Sequence, residues 1–166
     1  QRNKVLSFKV VNEDIARIEN FYKETGYSLM KIIEVKFEPK TQKITFFIDE
    51  GRVQNIAFEG NNKTNDYILY REMMLKKGSV FNTDILRKDR ERLIKLGYFS
   101  AVSSPKLLPV GNGRLIDILI EVKERNVSSI GLALEQGLRS AVNAVINVKL
   151  NNTLGLAESF KTKMQF

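Results

Sequence analysis

At 166 residues the chain has room for one to three small domains, and its 43% hydrophobic and 28% charged residues are those of a folded protein. A net charge of +8 favours acidic partners or plain solubility. The absence of both Cys and His removes disulfides, thiolate chemistry, most zinc sites and the commonest general base.

The first periodic stretch, "NEDIARIENFYKETGY", predicts a helix with Asn12 as N-cap, Asp14 in the first turn and Gly26 as a left-handed stop. Its apolar stripe is Ile15, Ile18, Phe21 and Tyr22, and the preceding "QRNKVLSFKVV" has little period. A hairpin follows: "MKIIEVKFEP", the turn "KTQK", then "ITFFIDEG". Val53 to Glu59 alternate as a strand, Gly60 to Lys63 turn, and Thr64 or Asn65 caps a helix reaching about Leu75. The next segment, "NTDILRKDRERLIKLGY", predicts a helix capped by Asn82 and stopped by Gly97, with Leu86, Leu93, Ile94 and Leu96 inward and its cations on a solvated face. A second hairpin reads "YFSAVSSPKLLP", the turn "VGNG" and "RLIDILIEVKE". In its later strand Ile116, Ile118 and Ile120 on one side, and Leu115, Leu119 and Val122 near the other, are expected to be buried.

The helix and hairpin thus occur twice, about 70 residues apart, and the second copy is complete as β-α-α-β-β. In both hairpins the later strand is the more continuous hydrophobe and is expected to be central, the earlier one an edge. The first copy starts partway through the unit, which suggests a piece of a longer protein.

The elements "FEGNNKT" with Gly60, Asn61 and Thr64, the Arg71-Glu72 pair, Gly78 and Phe81, "LGYF" at 96–99 and "VKER" at 122–125 together resemble the polypeptide-transport-associated (POTRA) repeat of the BamA-like outer-membrane protein assembly family. Tyr70 departs from that pattern, standing where the family often has a second arginine. The resemblance implies an α+β fold of tandem POTRA repeats: residues 1–52 a partial penultimate repeat, 53–125 the last repeat, and 126–166 the first strands of an outer-membrane β-barrel. After Arg125 the pattern does alternate. Ile130, Leu132 and Leu134 alternate with Ser129, Gly131 and Ala133, then Ala144, Ile146, Val148 and Leu150 with Val145, Asn147 and Lys149; finally Phe160, Thr162, Met164 and Phe166 alternate with polar neighbours. A soluble sheet with one buried face has the same period. The linking "NNTLGLAES" resembles the family's Asn-x-x-Gly-x-Gly turn, with Ala157 at the second glycine. Three strands cannot close a barrel, so these must pair with one another, with the repeat or with another copy.

The resemblance implies no enzyme and no cofactor or metal. It implies outer-membrane location with the repeats in the periplasm, and as partners unfolded outer-membrane β-barrel proteins, accessory assembly lipoproteins and, through the full-length barrel, outer-membrane lipid. The alternative within the family is a two-partner-secretion or translocation-assembly transporter. For clients, the expected mode is β-augmentation on the edge strand Phe99, Ser100, Ala101, Val102 and Ser103, limited by Pro105. Arg71, Glu72, Arg87 and Arg90 complete the expected partner surface, Arg87, Arg90 and Lys95 steering acidic segments. A KH-like RNA-binding module shares the β-α-α-β order, but "KKGSVFN" has one glycine where that module needs two, so no nucleic acid is expected. The nearest paired acids, Asp49-Glu50 and Glu121 with Glu124, fall at strand ends with no nucleophile beside them.

Overall fold

The computed structural model describes residues 8–111, 113–126, 128–136 and 142–165. The fold is α+β, in chain order α1 (Phe8–Glu24), β1 (Lys31–Glu38), β2 (Lys43–Asp49), β3 (Arg52–Glu59), α2 (Asp66–Glu72), α3 (Thr83–Lys95), β4 (Phe99–Val102), β5 (Lys106–Val110), β6 (Leu115–Glu124), β7 (Ser129–Gln136), β8 (Val142–Asn151) and β9 (Ser159–Gln165). β1 pairs with β2; β3, β6 and β4 follow one another in a second sheet in which β5 also pairs with β6; β7, β8 and β9 form a third. The chain divides into two compact units, one of Gln1–Ala57, Met74–Asp89 and Pro105–Leu119, the other of Phe58–Met73, Arg90–Ser104 and Ile120–Phe166.

In the first unit α1 begins at Phe8, so Asn12 is an exposed interior residue and not the expected N-cap. The reason is periodic: Val11, Ile15, Ile18 and Tyr22 recur on one half-buried face, which extends the stripe a turn ahead of Ile15, past Asn12. Phe21 lies off that stripe, exposed, its ring edge-on to Tyr22 at 6.1 Å. The rest of the aperiodic opening, residues 1–7, lies outside the described residues. Gly26 ends the helix with φ +87°. There the two copies of the repeat meet: Asn82 Nδ2 donates to Thr25 O (2.9 Å), while its Oδ1 accepts from the N–H groups of Asp84 (3.0 Å) and Ile85 (3.1 Å) as the cap of α3. A Cβ at position 26 would fall 2.7 Å from Asn82 Oδ1, so glycine is needed for space as well as for φ.

The β1–β2 hairpin runs in register from Lys31↔Asp49 to Glu38↔Lys43 with a bulge between Ile32 and Glu34. β2 was expected to be central; it pairs with β1 alone among the described strands, because no third strand lies on its far side. The loop before α3 is held by Asp89, which is fully buried and accepts from Met74 N (2.8 Å) and Leu75 N (2.9 Å). β5 pairs with the first half of β6, Lys106↔Leu119 through Val110↔Leu115. The expected strand 98–109 is broken into β4 and β5 at Ser103-Ser104-Pro105, since proline supplies no ladder donor. The turn expected at 110–113 includes Asn112, outside the described residues.

β6 alternates: Ile116, Ile118, Ile120 and Val122 are all buried, whereas Leu115 is exposed and Leu119 half-buried. Val122 thus shares the isoleucines' face, as strand period 2 requires, and the second apolar face expected for Leu115 and Leu119 is not sealed. In the second unit Ile68, Leu69 and Met73 of the α2 segment and Leu93 of α3 are buried, but Ile94 is exposed, one residue off the Leu86–Leu93 stripe. Asn65 caps α2, accepting from Tyr67 N (2.8 Å), and the helix ends at Glu72 because Met73 is extended at ψ 139°. Of the last forty residues, those in β7, β8 and β9 pair with one another: Ser129↔Lys149 through Gln136↔Val142, and Val145↔Gln165 through Asn151↔Ser159.

Candidate functional site

Among the described strands β4 pairs with β6 alone, through Phe99↔Glu124, Ala101↔Lys123 and Val102↔Val122, with a bulge between Phe99 and Ala101. Phe99 and Val102 are buried, Ser100 and Ala101 are exposed, and Ser103 is half-buried. At the bulge the Ser100 hydroxyl donates to Lys123 O (3.0 Å); beyond the strand Ser103 N (2.9 Å) and its hydroxyl (2.7 Å) both donate to Glu121 O. With Ser103 N directed at β6, Val102 directs its N–H and C=O to the other side of the strand. Its carbonyl is met there by Arg90, whose Nε and Nη2 donate to Val102 O at 3.0 and 2.7 Å, Nε also reaching Ser103 O at 3.0 Å. Arg90 is therefore a clasp on the end of the edge strand, packed half-buried by α3, and that charge-assisted grip closes part of the edge.

Arg71 and Glu72, at the end of α2, face each other at 3.2 Å in a partly exposed pair. Arg87 belongs to the first unit, exposed, with Asp84 at 3.4 Å. Phe99 to Ser103 and Arg90 are thus brought together, while Arg71 and Glu72 are joined chiefly to each other.

A second constellation in the same unit centres on residues 60–65. Gly60, at φ +89°, lets the chain pass so close to β6 that a Cβ would lie 2.0 Å from Val122 O. Asn61 Nδ2 donates to Thr64 O (2.9 Å) and Asp66 Oδ1 (2.6 Å). The Glu124 carboxylate accepts from Lys63 N (2.9 Å) and Thr64 N (2.6 Å). Burial by itself raises the Glu124 pKa, but the hydrogen bonds from the Thr64 side chain and the Thr64 and Lys63 amides outweigh it, so the carboxyl sits below its ordinary value.

The β8–β9 turn seats on this loop. Asn65 N donates to Gly155 O (3.0 Å), the buried Asn152 Nδ2 donates to the buried Thr64 hydroxyl (2.8 Å), and Tyr98 OH donates to Ala157 O (3.2 Å). A Cβ at Gly155 would fall 2.0 Å from Lys63 O. Ala157 takes φ +62°, left-handed backbone that glycine adopts without strain. Asn61, Thr64, Tyr98 and Glu124 are all in the segments by which the repeat resembles its family, yet their joint use as a seat for residues 152–157 is not readable from spacing. The only sequence trace of it is the Asn-x-x-Gly pattern at 152–155.

The β7–β9 sheet has two unlike faces. Cross-strand rows Ile130–Val148–Thr162 and Leu132–Ile146–Met164 fall on one, with Ile130, Leu132, Phe160 and Met164 exposed; Ser129–Lys149–Lys161 and Gly131–Asn147–Lys163 fall on the other. Among the described residues no helix is long and apolar enough to cross a membrane, a fact that does not bear on crossing by strands. Among the described residues no acidic cluster is arranged to hold a metal.

A family model for POTRA, the surface antigen variable number repeat, matches residues 52–125. The chain is 31% identical over 153 residues to the outer membrane protein assembly factor BamA of Buchnera aphidicola subsp. Acyrthosiphon pisum, covering 89% of this chain and 25% of that protein. It is 26% identical over 151 residues to BamA of Neisseria meningitidis serogroup B, covering 87% and 19%. Among solved structures, BamA from Haemophilus ducreyi lacking POTRA domains 1-3 is similar with a TM-score of 0.64 at 25% identity, covering 100% of this chain and 32% of that one. POTRA1-3 of the periplasmic domain of Omp85 from Anabaena gives 0.66 at 27% identity, covering 76% and 55%. The chain spans a quarter or less of the length of these two BamA relatives. Residues 52–125 are a POTRA repeat, and the chain that contains them is a BamA-like POTRA region.

Proposed function

We propose that this chain is the periplasmic POTRA portion of an outer-membrane β-barrel assembly factor, with residues 1–52 and 53–125 as its last two repeats and 126–166 as the opening strands of the barrel. The similarity to BamA chains supports the assembly role, and the apolar and polar faces of β7–β9 support a wall between lipid and water. The repeat performs no chemistry in this reading. It receives unfolded barrel proteins, and the accessory lipoproteins that serve them, as extended segments.

The observation that carries the client-binding step is β4, the terminal strand of its sheet. An added strand pairs through main-chain groups and so reads little side-chain sequence, which suits many clients. Val102 points its N–H away from β6, so it is the donor such a strand needs, while Arg90 and Pro105 set the limit of pairing. Phe99, Ser100, Ala101 and Ser103 frame that donor, and Arg71 and Glu72 at the end of α2 are the further contacts proposed in this unit, Arg87 belonging to the other. Replacing Val102 by Pro removes the donor without removing a β4–β6 ladder bond. The expected result is loss of binding to an unfolded barrel-protein peptide, with a folded spectrum retained; undiminished binding, or amide shifts confined to the helices, sinks β-augmentation at this edge.

A further inference from the structure

We propose that the polar face of β7–β9 is a binding trough for an extended acidic polypeptide segment, distinct from the β4 edge. Two cavities adjoin on it and share Lys149. One, about 520 Å³, is lined by Arg125, Tyr98, Lys149, Asn151 and Ser159; the other, about 480 Å³, continues past Lys149 to Lys161 and Lys163. Four cations line the pair, and no Asp or Glu is among the described residues that line either.

Register explains why this arrangement asks for an anion. Lys149 and Lys161 are directly opposed across β8 and β9, a like-charge pair that costs free energy in a sheet and is relieved when a negative group sits between them. Lys161 and Lys163 stand two residues apart on one face, about 6.8 Å along the strand, which is also the spacing of alternate side chains in an extended ligand. A segment with carboxylates at every second residue therefore meets both. Arg125 is held at the trough's end by its Nε bond to Gly97 O (2.7 Å).

Shape and side decide between a polypeptide and a lipid headgroup. The two cavities adjoin at Lys149, and their space together exceeds what one phosphate requires. The cations also lie on the face opposite the exposed Ile130, Leu132 and Met164, so a bilayer against that apolar surface does not present its headgroups to them.

The test titrates the full chain with a synthetic peptide of alternating Glu and Thr, against a Gln-Thr peptide and a peptide of the same composition with its Glu residues in one block. Amide shifts at Tyr98, Lys149, Ser159 and Lys161 are expected with the alternating peptide, weaker with the blocked one and absent with the neutral one. Binding should weaken about two- to fivefold in Lys161→Gln, the size of an exposed ion pair, and vanish near 1 M salt, where the screening length is about 3 Å. Lys161→Arg, which keeps the charge, should bind the alternating Glu-Thr peptide as the wild type does, which guards against a Lys161→Gln variant that has simply lost its fold. Val102→Pro should leave all of this unchanged, so failure here and failure of the β4 reading are separable. Equal binding of the neutral peptide, or the same shifts produced by phosphatidylglycerol vesicles and not by the peptide, overturns the proposal.

Discussion

β2 and β6 hold the same place in the two copies of the repeat, each the later and more apolar strand of its hairpin, yet their burial is unlike. β6 buries Ile116, Ile118, Ile120 and Val122, whereas β2 has no fully buried residue. The difference follows from pairing: among the described strands β6 has neighbours on both sides and β2 has β1 alone. The helix caps differ in the same way. Asn82 is buried, capping α3 and binding Thr25 O, while its counterpart Asn12 is exposed within α1. An identical pattern of residue types sets which face a strand or helix turns inward; what lies against that face decides how much the inward turn stabilises.

The sharpest way to break this comparison is one substitution made in both strands. Ile118→Asp places a carboxylate at a position 1% exposed and is expected to cost about 3 kcal/mol or more. Ile48→Asp, at a half-buried position of β2, lets the carboxylate reach water and is expected to cost about 1 kcal/mol. Chemical denaturation of both variants gives the test; equal losses would mean that β2 is as enclosed as β6.

That contrast also marks what was legible in the sequence. Period 2 in "LIDILIEVKE" and the caps at Asn65 and Asn82 depend on residues near in the chain, and these were readable. The end of α2 at Glu72, the exposure of Ile94 and Phe21, and the place of Arg90 on Val102 O depend on partners distant in sequence. For the edge strand, spacing located β4, but the guanidinium that closes part of it looked like one more solvated cation on a basic helix. Asp89 gave a faint sign, a carboxylate lying between Leu86 and Leu93 on the apolar stripe, where only a buried acceptor makes sense.

Asp89 supplies the next largest effect, and the comparison it sharpens is between a carboxylate sealed inside and one at the rim. Asp89→Ala leaves the Met74 and Leu75 amides without their acceptor and is expected to cost about 2–3 kcal/mol. Glu124 binds a similar pair of amides but remains half-buried, so Glu124→Gln is expected to cost about 1 kcal/mol at neutral pH. Its loss depends on pH. The folded carboxyl titrates below the ordinary value of 4.5, so its contribution is complete above that value, where the unfolded chain's Glu124 is also ionised, and fades as pH falls through the lower folded value. Urea midpoints of wild type and variant should therefore converge in acid. A gap that widens below pH 4 would contradict the assignment of the Lys63 and Thr64 amides to an ionised Glu124.

The smallest expected effect comes from the feature the two copies share most closely. Asp14 and Arg17 within α1, and Asp84 and Arg87 at the start of α3, form i,i+3 ion pairs. If burial in the repeat governed every interaction, the second pair would be the stronger. Both arginines are largely solvent-exposed, at 73% and 63%, so water and salt screen the two pairs alike. Asp84 also lies in the first turn of α3, where negative charge is favourable, whereas α1 has no acid in its first turn, so the arginine is the partner to remove without disturbing that term. Arg17→Gln and Arg87→Gln are each expected to cost about 0.2–0.5 kcal/mol at low salt and nothing measurable in 1 M salt. Paired denaturation curves at the two ionic strengths decide the matter: a salt-resistant loss in either variant would mean that its exposed ion pair is not screened as its exposure requires, and the likeness between the two copies would then stop at the backbone.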